Sequence, residues 1–113
     1  MKANSISSAE LELLRGYDTP TVCNVIELFH LWVGGVVIIP GDLLHGDANG
    51  VTTVPLEIAS EVAHACAEYM AAEQIVLDYC KSAQATAAGF VEARVECGRR
   101  LAALSERVRL RSR

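Results

Sequence analysis

The stretch Pro40–Pro55, PGDLLHGDANGVTTVP, holds two Gly-Asp steps, a histidine between them and an Asn-Gly dipeptide ahead of an apolar run. Its glycines, asparagine and aspartates are what tight turns use, because they tolerate positive φ or bond to their own backbone. Pro40-Gly41-Asp42 reads as one turn and DANG (47–50) as the next, with LLHG (43–46) and VTTV (51–54) as short strands. Just before them, VVII (36–39) is contiguous and β-branched, as in a strand buried on both faces. The expectation is a small three-stranded β region within residues 34–55.

Helical patterns flank this region on both sides. SSAELELLRG begins with serine ahead of Glu10, Leu11, Leu13 and Leu14, and Gly16 stands where a short helix stops. DTPTVCNVIELF restarts a helix, with Asp18 or Thr19 as cap and Pro20 where no N–H is needed. Val22, Val25, Ile26 and Phe29 form its apolar stripe, so the two short amino-terminal helices occupy residues 8–29.

After Pro55, a long helix over 56–81 carries Ile58, Val62, Ala65, Tyr69, Ala72, Val76 and Tyr79 at steps of four and three, with Glu57, Glu61, His64 and Glu68 opposite. A second, from Gln84 to Arg109, aligns Ala87, Phe90, Cys97, Leu101, Leu104 and Val108, interrupted by Arg94. Gly89 and Gly98 each cost this helix about 1 kcal/mol relative to alanine, so it should depend on docking. The carboxy-terminal helices thus fill residues 56–110 of a single domain of class α/β.

Composition limits what such a domain does. The 113 residues are half apolar, with net charge −4, which argues against broad nucleic-acid binding. Residues 1–90 hold three Lys or Arg against eleven Asp or Glu, and residues 91–113 hold seven Arg against three Glu. An acidic body with a basic tail suits contact with a charged partner, or simply a solvated helix face. Cys23, Cys66, Cys80 and Cys97 are scattered, without CxxC spacing, so neither disulfides nor a zinc site is expected. No segment reads as a signal peptide or a membrane span, and the expected setting is a reducing compartment, the cytoplasm.

Asp42, His45 and Asp47 are the candidate chemical groups, and alternation puts His45 and Asp47 on one side of an extended segment. Two carboxylates and an imidazole suit a divalent metal or proton transfer; equally, the aspartates cap turns and His45 packs. His64 with Glu61 and Glu68 clusters on a helix face, where surface pairing is the plainer reading. His30 has no positioned partner, and Cys23, near a helix start, has no base beside it.

LRGYDTPTVCNVIEL (14–28) and GGVVIIPGDLLHGDANGVTTVPLEIASEVAHACAEYMAAEQIVLDY (34–79) resemble the start and the end of the RraA-like family. That family includes regulators of ribonuclease activity and the 4-hydroxy-4-methyl-2-oxoglutarate aldolases, which also decarboxylate oxaloacetate. The resemblance implies an α/β layered sandwich assembled in rings of three, a 2-oxo acid substrate and a divalent metal, magnesium or manganese. It also shows a departure: only His30, Leu31, Trp32 and Val33 stand where the family has a large central part. That part supplies a glycine-rich carboxylate-binding segment and an Arg-Asp pair for substrate and metal, and no Arg-Asp dipeptide occurs here.

No family catalytic or metal residue carries over, and substrate-binding residues are unassigned; Asp42, His45 and Asp47 stay as weak metal candidates. The resemblance therefore implies a truncated RraA-like domain with an internal deletion near 30–33 and impaired lyase chemistry. The competing reading is a non-catalytic regulator meeting a basic protein segment through its acidic body. Exposed strand edges and helix faces leave three physical outcomes: a compact remnant, an oligomer, or a poorly folded chain.

Overall fold

The computed structural model describes residues 6–29 and 38–111. It contains α1 (Ser8–Arg15), α2 (Thr19–Leu28), β1 (Leu43–Asp47), β2 (Gly50–Val54), α3 (Ala59–Lys81) and α4 (Ala87–Arg111). Four helices and a two-stranded antiparallel sheet thus make a mixed α and β chain among the described residues. Of the strand expected at 36–39, Val36 and Val37 lie outside the described residues, while Ile38 and Ile39 are irregular and exposed. His30 and the junction at 30–33 also lie outside them.

Local chemistry sets the element boundaries. Ser7 caps α1 by accepting from the Glu10 amide, and the Glu10 carboxylate accepts from the Ser7 amide in return. Asp18, rather than Thr19, caps α2 by accepting from the Thr21 amide at 2.8 Å. The hairpin pairs Leu43 with Val54 and Asp47 with Gly50, which leaves Ala48 and Asn49 as its two-residue loop. Gly50 takes φ 143°, a conformation that side chains other than glycine's rarely adopt. Asp47 Oδ1 accepts from the Asn49 amide at 2.7 Å, an Asx-type bond that closes the same turn.

Both long helices start three residues later than the apolar periodicity suggests. Residues 56–58 form a turn in which Ile58 N–H donates to Pro55 O, and the first helical bond runs from Val62 to Ile58. At the other helix, Thr86 Oγ1 accepts from the Gly89 amide at 3.1 Å, so the cap determines that α4 begins at Ala87 rather than at Gln84. The stripe of α4 buries Leu104 and Val108 as the periodicity suggests, but Ala93 is buried as well while Phe90 remains 38% exposed.

The core lies at one end of the molecule. Leu14 of α1, Val22, Val25 and Ile26 of α2, Phe29, Val54 of β2 and Ile58 meet Val62, Ala63 and Cys66 of α3. Leu104 and Val108 of α4 close it. Burying each valine, leucine or isoleucine is worth about 1.5–3 kcal/mol, so this cluster dominates stability. Small residues of α3, Ala59, Ala63 and Ala65, let α1 and α2 approach its backbone. Beyond the core α3 and α4 continue as an antiparallel pair, giving a long axis of 51 Å against 32 and 27 Å.

Gly89 has a packing reason rather than being a weak spot. Tyr79 Oη bonds to Thr86 Oγ1 and accepts from the Thr86 amide at 3.0 Å, which locks the α3–α4 connection. A Cβ on Gly89 would sit 1.7 Å from that hydroxyl. Helix propensity alone would make Gly89→Ala stabilising by about 1 kcal/mol. The expected result in urea denaturation is the opposite, a loss of stability, and Tyr79→Ala in the same chain should remove that penalty.

Candidate functional site

The amino terminus of α2 is where the candidate residues of the Pro40–Pro55 stretch converge. Strand alternation points Leu43, His45 and Asp47 toward α2, and Leu44 and Gly46 outward. Asp47 Oδ2 accepts from the Thr19 amide at 2.8 Å. With Asp18 on Thr21, two carboxylates therefore satisfy orphan N–H groups of one helix start and sit at the positive end of its dipole. Asn49 Nδ2 also donates to Asp47 Oδ2, at 3.3 Å.

His45 bridges two helices. Its Nε2 lies 3.0 Å from Leu14 O, at the end of α1, and its Nδ1 lies 2.8 Å from Thr19 Oγ1, at the start of α2. A carbonyl only accepts, so Nε2 carries the proton. In the neutral ring Nδ1 then accepts from the Thr19 hydroxyl; in the charged ring it donates to the same oxygen. Thr19 suits either state.

A hydroxyl 2.8 Å from an imidazole is also the first half of a nucleophile–base pair. Here the rest of the arrangement is structural. Thr19 is 5% exposed, the other ring nitrogen is bound to a carbonyl rather than a carboxylate, and the Thr19 amide is held by Asp47. No substrate reaches that hydroxyl without moving the hairpin.

The three proposed ligands do not fit a shared metal. Asp42 sits before β1 and Asp47 at its far end, five residues or about 16 Å apart along an extended strand. Asp42 Oδ2 accepts from the Ile39 amide at 2.9 Å, across the Pro40–Gly41 turn. Both His45 nitrogens and both Asp47 oxygens have protein partners. Among the described residues, no three His, Cys, Asp or Glu side chains gather as a group that could hold a metal ion.

The second candidate cluster separates in the same way. His64 Nε2 lies 3.4 Å from Glu10 Oε1, Glu61 meets Arg111 at 3.5 Å, and Glu68 is bound by Arg107. Glu10 gathers a further bond from the Ser60 hydroxyl, so α1 and α3 are joined through one carboxylate. Ser60, His64 and Glu10 thus stand together, but the acid occupies the middle, where a hydrolytic triad needs the imidazole. Sequence reading passed over Glu10 as a connecting group. The available signal was the Ser-x-x-Glu spacing, which reports the α1 cap and not the partners on α3.

The cysteines are unpaired. Cys66 is fully buried, and burial, with a smaller push from Asp18, raises its thiol to about 12, which makes it inert packing. Cys23 on α2 is half-buried. No helix among the described residues is long and apolar enough to cross a membrane. Comparison with protein-family models, with curated proteins and with solved structures finds no match to this chain.

Hydrogen bonds from the Thr19 and Asn49 amides hold the Asp47 carboxyl below its usual range, and the Thr21 hydroxyl and amide do the same for Asp18. Bonds from the Ser60 hydroxyl and then from Ser7 lower Glu10 to about 2. A carboxylate with a depressed folded value contributes stability above its unfolded value, and that contribution is lost as pH falls through the folded one. Melting temperature should therefore drop between the ordinary carboxylate range and about pH 2. Asp47→Asn should melt below the parent chain at neutral pH, and the gap should shrink on acidification; a gap independent of pH would contradict the capping role.

Proposed function

We propose that this chain is an RraA-like framework that acts by contact with another protein rather than by lyase chemistry. The resemblance places the DTPT helix start and the GDLLHGDANG hairpin on either side of a family domain's centre. In this chain the two segments bond directly, through Asp47 and His45 to Thr19. That junction is the observation that carries the reading, because it commits both side chains to the start of α2.

Retro-aldol cleavage or decarboxylation of a 2-oxo acid leaves an enolate, which a divalent ion on the keto and carboxylate oxygens stabilises. Asp42, His45 and Asp47 do not fit such an ion, and the family's Arg-Asp pair has no counterpart here. A site without these groups has no means of positioning the substrate.

Contact chemistry has better support. At the open end of the hairpin a cleft of about 260 Å³ is lined by Asp42, Leu43, Thr53, Pro55, Leu56 and Glu57. Two exposed carboxylates flanking Leu56, itself 39% exposed, match the charged head and apolar stem of an arginine. Among the described residues, Arg107 and Arg111 dock on α3, and Arg99 and Arg100 pair with Glu96. The basic tail thus meets part of the acidic body internally, and the hairpin cleft is left for a basic segment of a partner.

Two measurements separate the readings. With oxaloacetate and added magnesium or manganese, pyruvate release should not exceed that of the metal alone; clear turnover by the chain would refute the contact reading. Binding to an arginine-rich protein should weaken with salt and fall about tenfold in the double substitution Asp42→Asn, Glu57→Gln. Binding indifferent to both changes would take the cleft out of the interface.

A further inference from the structure

Between Ala72 of α3 and Leu104 of α4, Ala93 alone among the described residues is buried. The outer halves of these helices therefore form a two-helix arm with unequal flanks. One flank carries Arg99, Arg100 and Arg107 against Glu68, with small residues such as Ala71 and Ala103 between them. The other is a groove of about 500 Å³ whose apolar lining includes Val76, Leu77, Phe90 and Leu101. Leu77 is 50% exposed there. Glu73 of α3 and Arg94 of α4 flank this apolar strip, and Arg94 has no hydrogen-bond or ion-pair partner among the described residues.

We propose that this groove docks a second copy of the chain, arm against arm, so that four helices enclose the two apolar flanks. The charges select that occupant. In a two-fold pair the same patch meets itself, so residue i of one copy faces residue j of the other and the converse. A groove with one acid and one base then brings Glu73 to Arg94 and Arg94 to Glu73. A partner of one charge sign would pair with one wall and leave the other buried and uncompensated, which is costly. On the opposite flank Arg107 is already paired with Glu68, and Arg99 and Arg100 with Glu96, so that flank has less need of a second copy. Four helices around a shared apolar seam are also how two amphipathic helices without a third layer bury their stripes.

This pairing rests on the α3–α4 arm and stands apart from the contact function at the hairpin cleft. It also differs from the rings of three that the family resemblance implies.

Sedimentation equilibrium of the full chain should show a monomer–dimer equilibrium. Glu73→Arg gives the groove two positive walls and Arg94→Glu gives it two negative ones. Each variant alone should lose dimer affinity by about tenfold or more. An equimolar mixture should recover it, because both contacts of a mixed pair are complementary, and pairing within one chain cannot produce that recovery. Circular dichroism of each variant should match the parent, which separates lost pairing from lost folding; if both variants unfold, Leu77→Gln supplies the same monomer test. A parent chain that stays monomeric, or that assembles in threes, overturns the proposal. So does a mixture that stays monomeric, or a monomer that associates only when a different protein is added.

Discussion

The bond between the hairpin and the start of α2 is the constraint that organises this molecule. A two-stranded hairpin is marginal alone, and α1 and α2 are short enough to need partners too. Asp47 and His45 together reach Thr19 and Leu14 O, so two side chains tie the hairpin to the end of one helix and the start of the next. The energy comes mainly from the apolar cluster beneath, where Val54 and Ile58 meet Val22, Val25 and Ile26. The polar link supplies register. A slip of one residue would turn His45 and Asp47 to solvent and point Leu44 at the buried helix end.

α3 is the common wall for everything else. It packs against α1, α2 and α4, and its alanines permit close approach on more than one side. Its carboxylates are distributed among separate tasks: Glu61 and Glu68 receive arginines of α4, and His64 joins Glu10 of α1. Exposed ion pairs contribute little to stability, so these set the direction in which α4 lies more than how firmly it is held. The charge asymmetry along the chain becomes, in the folded molecule, a partial neutralisation of one helix by another.

The candidate site shows where sequence reading stops. Alternation along β1 places His45 and Asp47 on one side, as expected, and the turn chemistry of Asp47 and Asn49 is also as expected. What that side faces is not a local property. Thr19 lies 28 residues from Asp47 and 26 from His45, and nothing in the spacing around Asp47 announces that an amide of α2 will be its partner. The same residue types serve a metal centre or a helix cap; the neighbours across the fold decide which.

Elements whose determinants lie within a few residues were readable from the amino-acid order itself. The Ser7 and Asp18 ends of the short helices, the hairpin turn within DANG (47–50) and the two long amphipathic stripes follow from backbone φ preferences, nearby acceptors and a 3.6-residue period. Other features depended on distances between chain-remote atoms. The burial of Ala93 while Phe90 stays exposed, the need for Gly89 beneath Tyr79 and the use of Glu10 as a link between α1 and α3 all belong to that group. Periodicity says that a helix has an apolar face, but only packing against a particular neighbour decides which residues of that face lose contact with water.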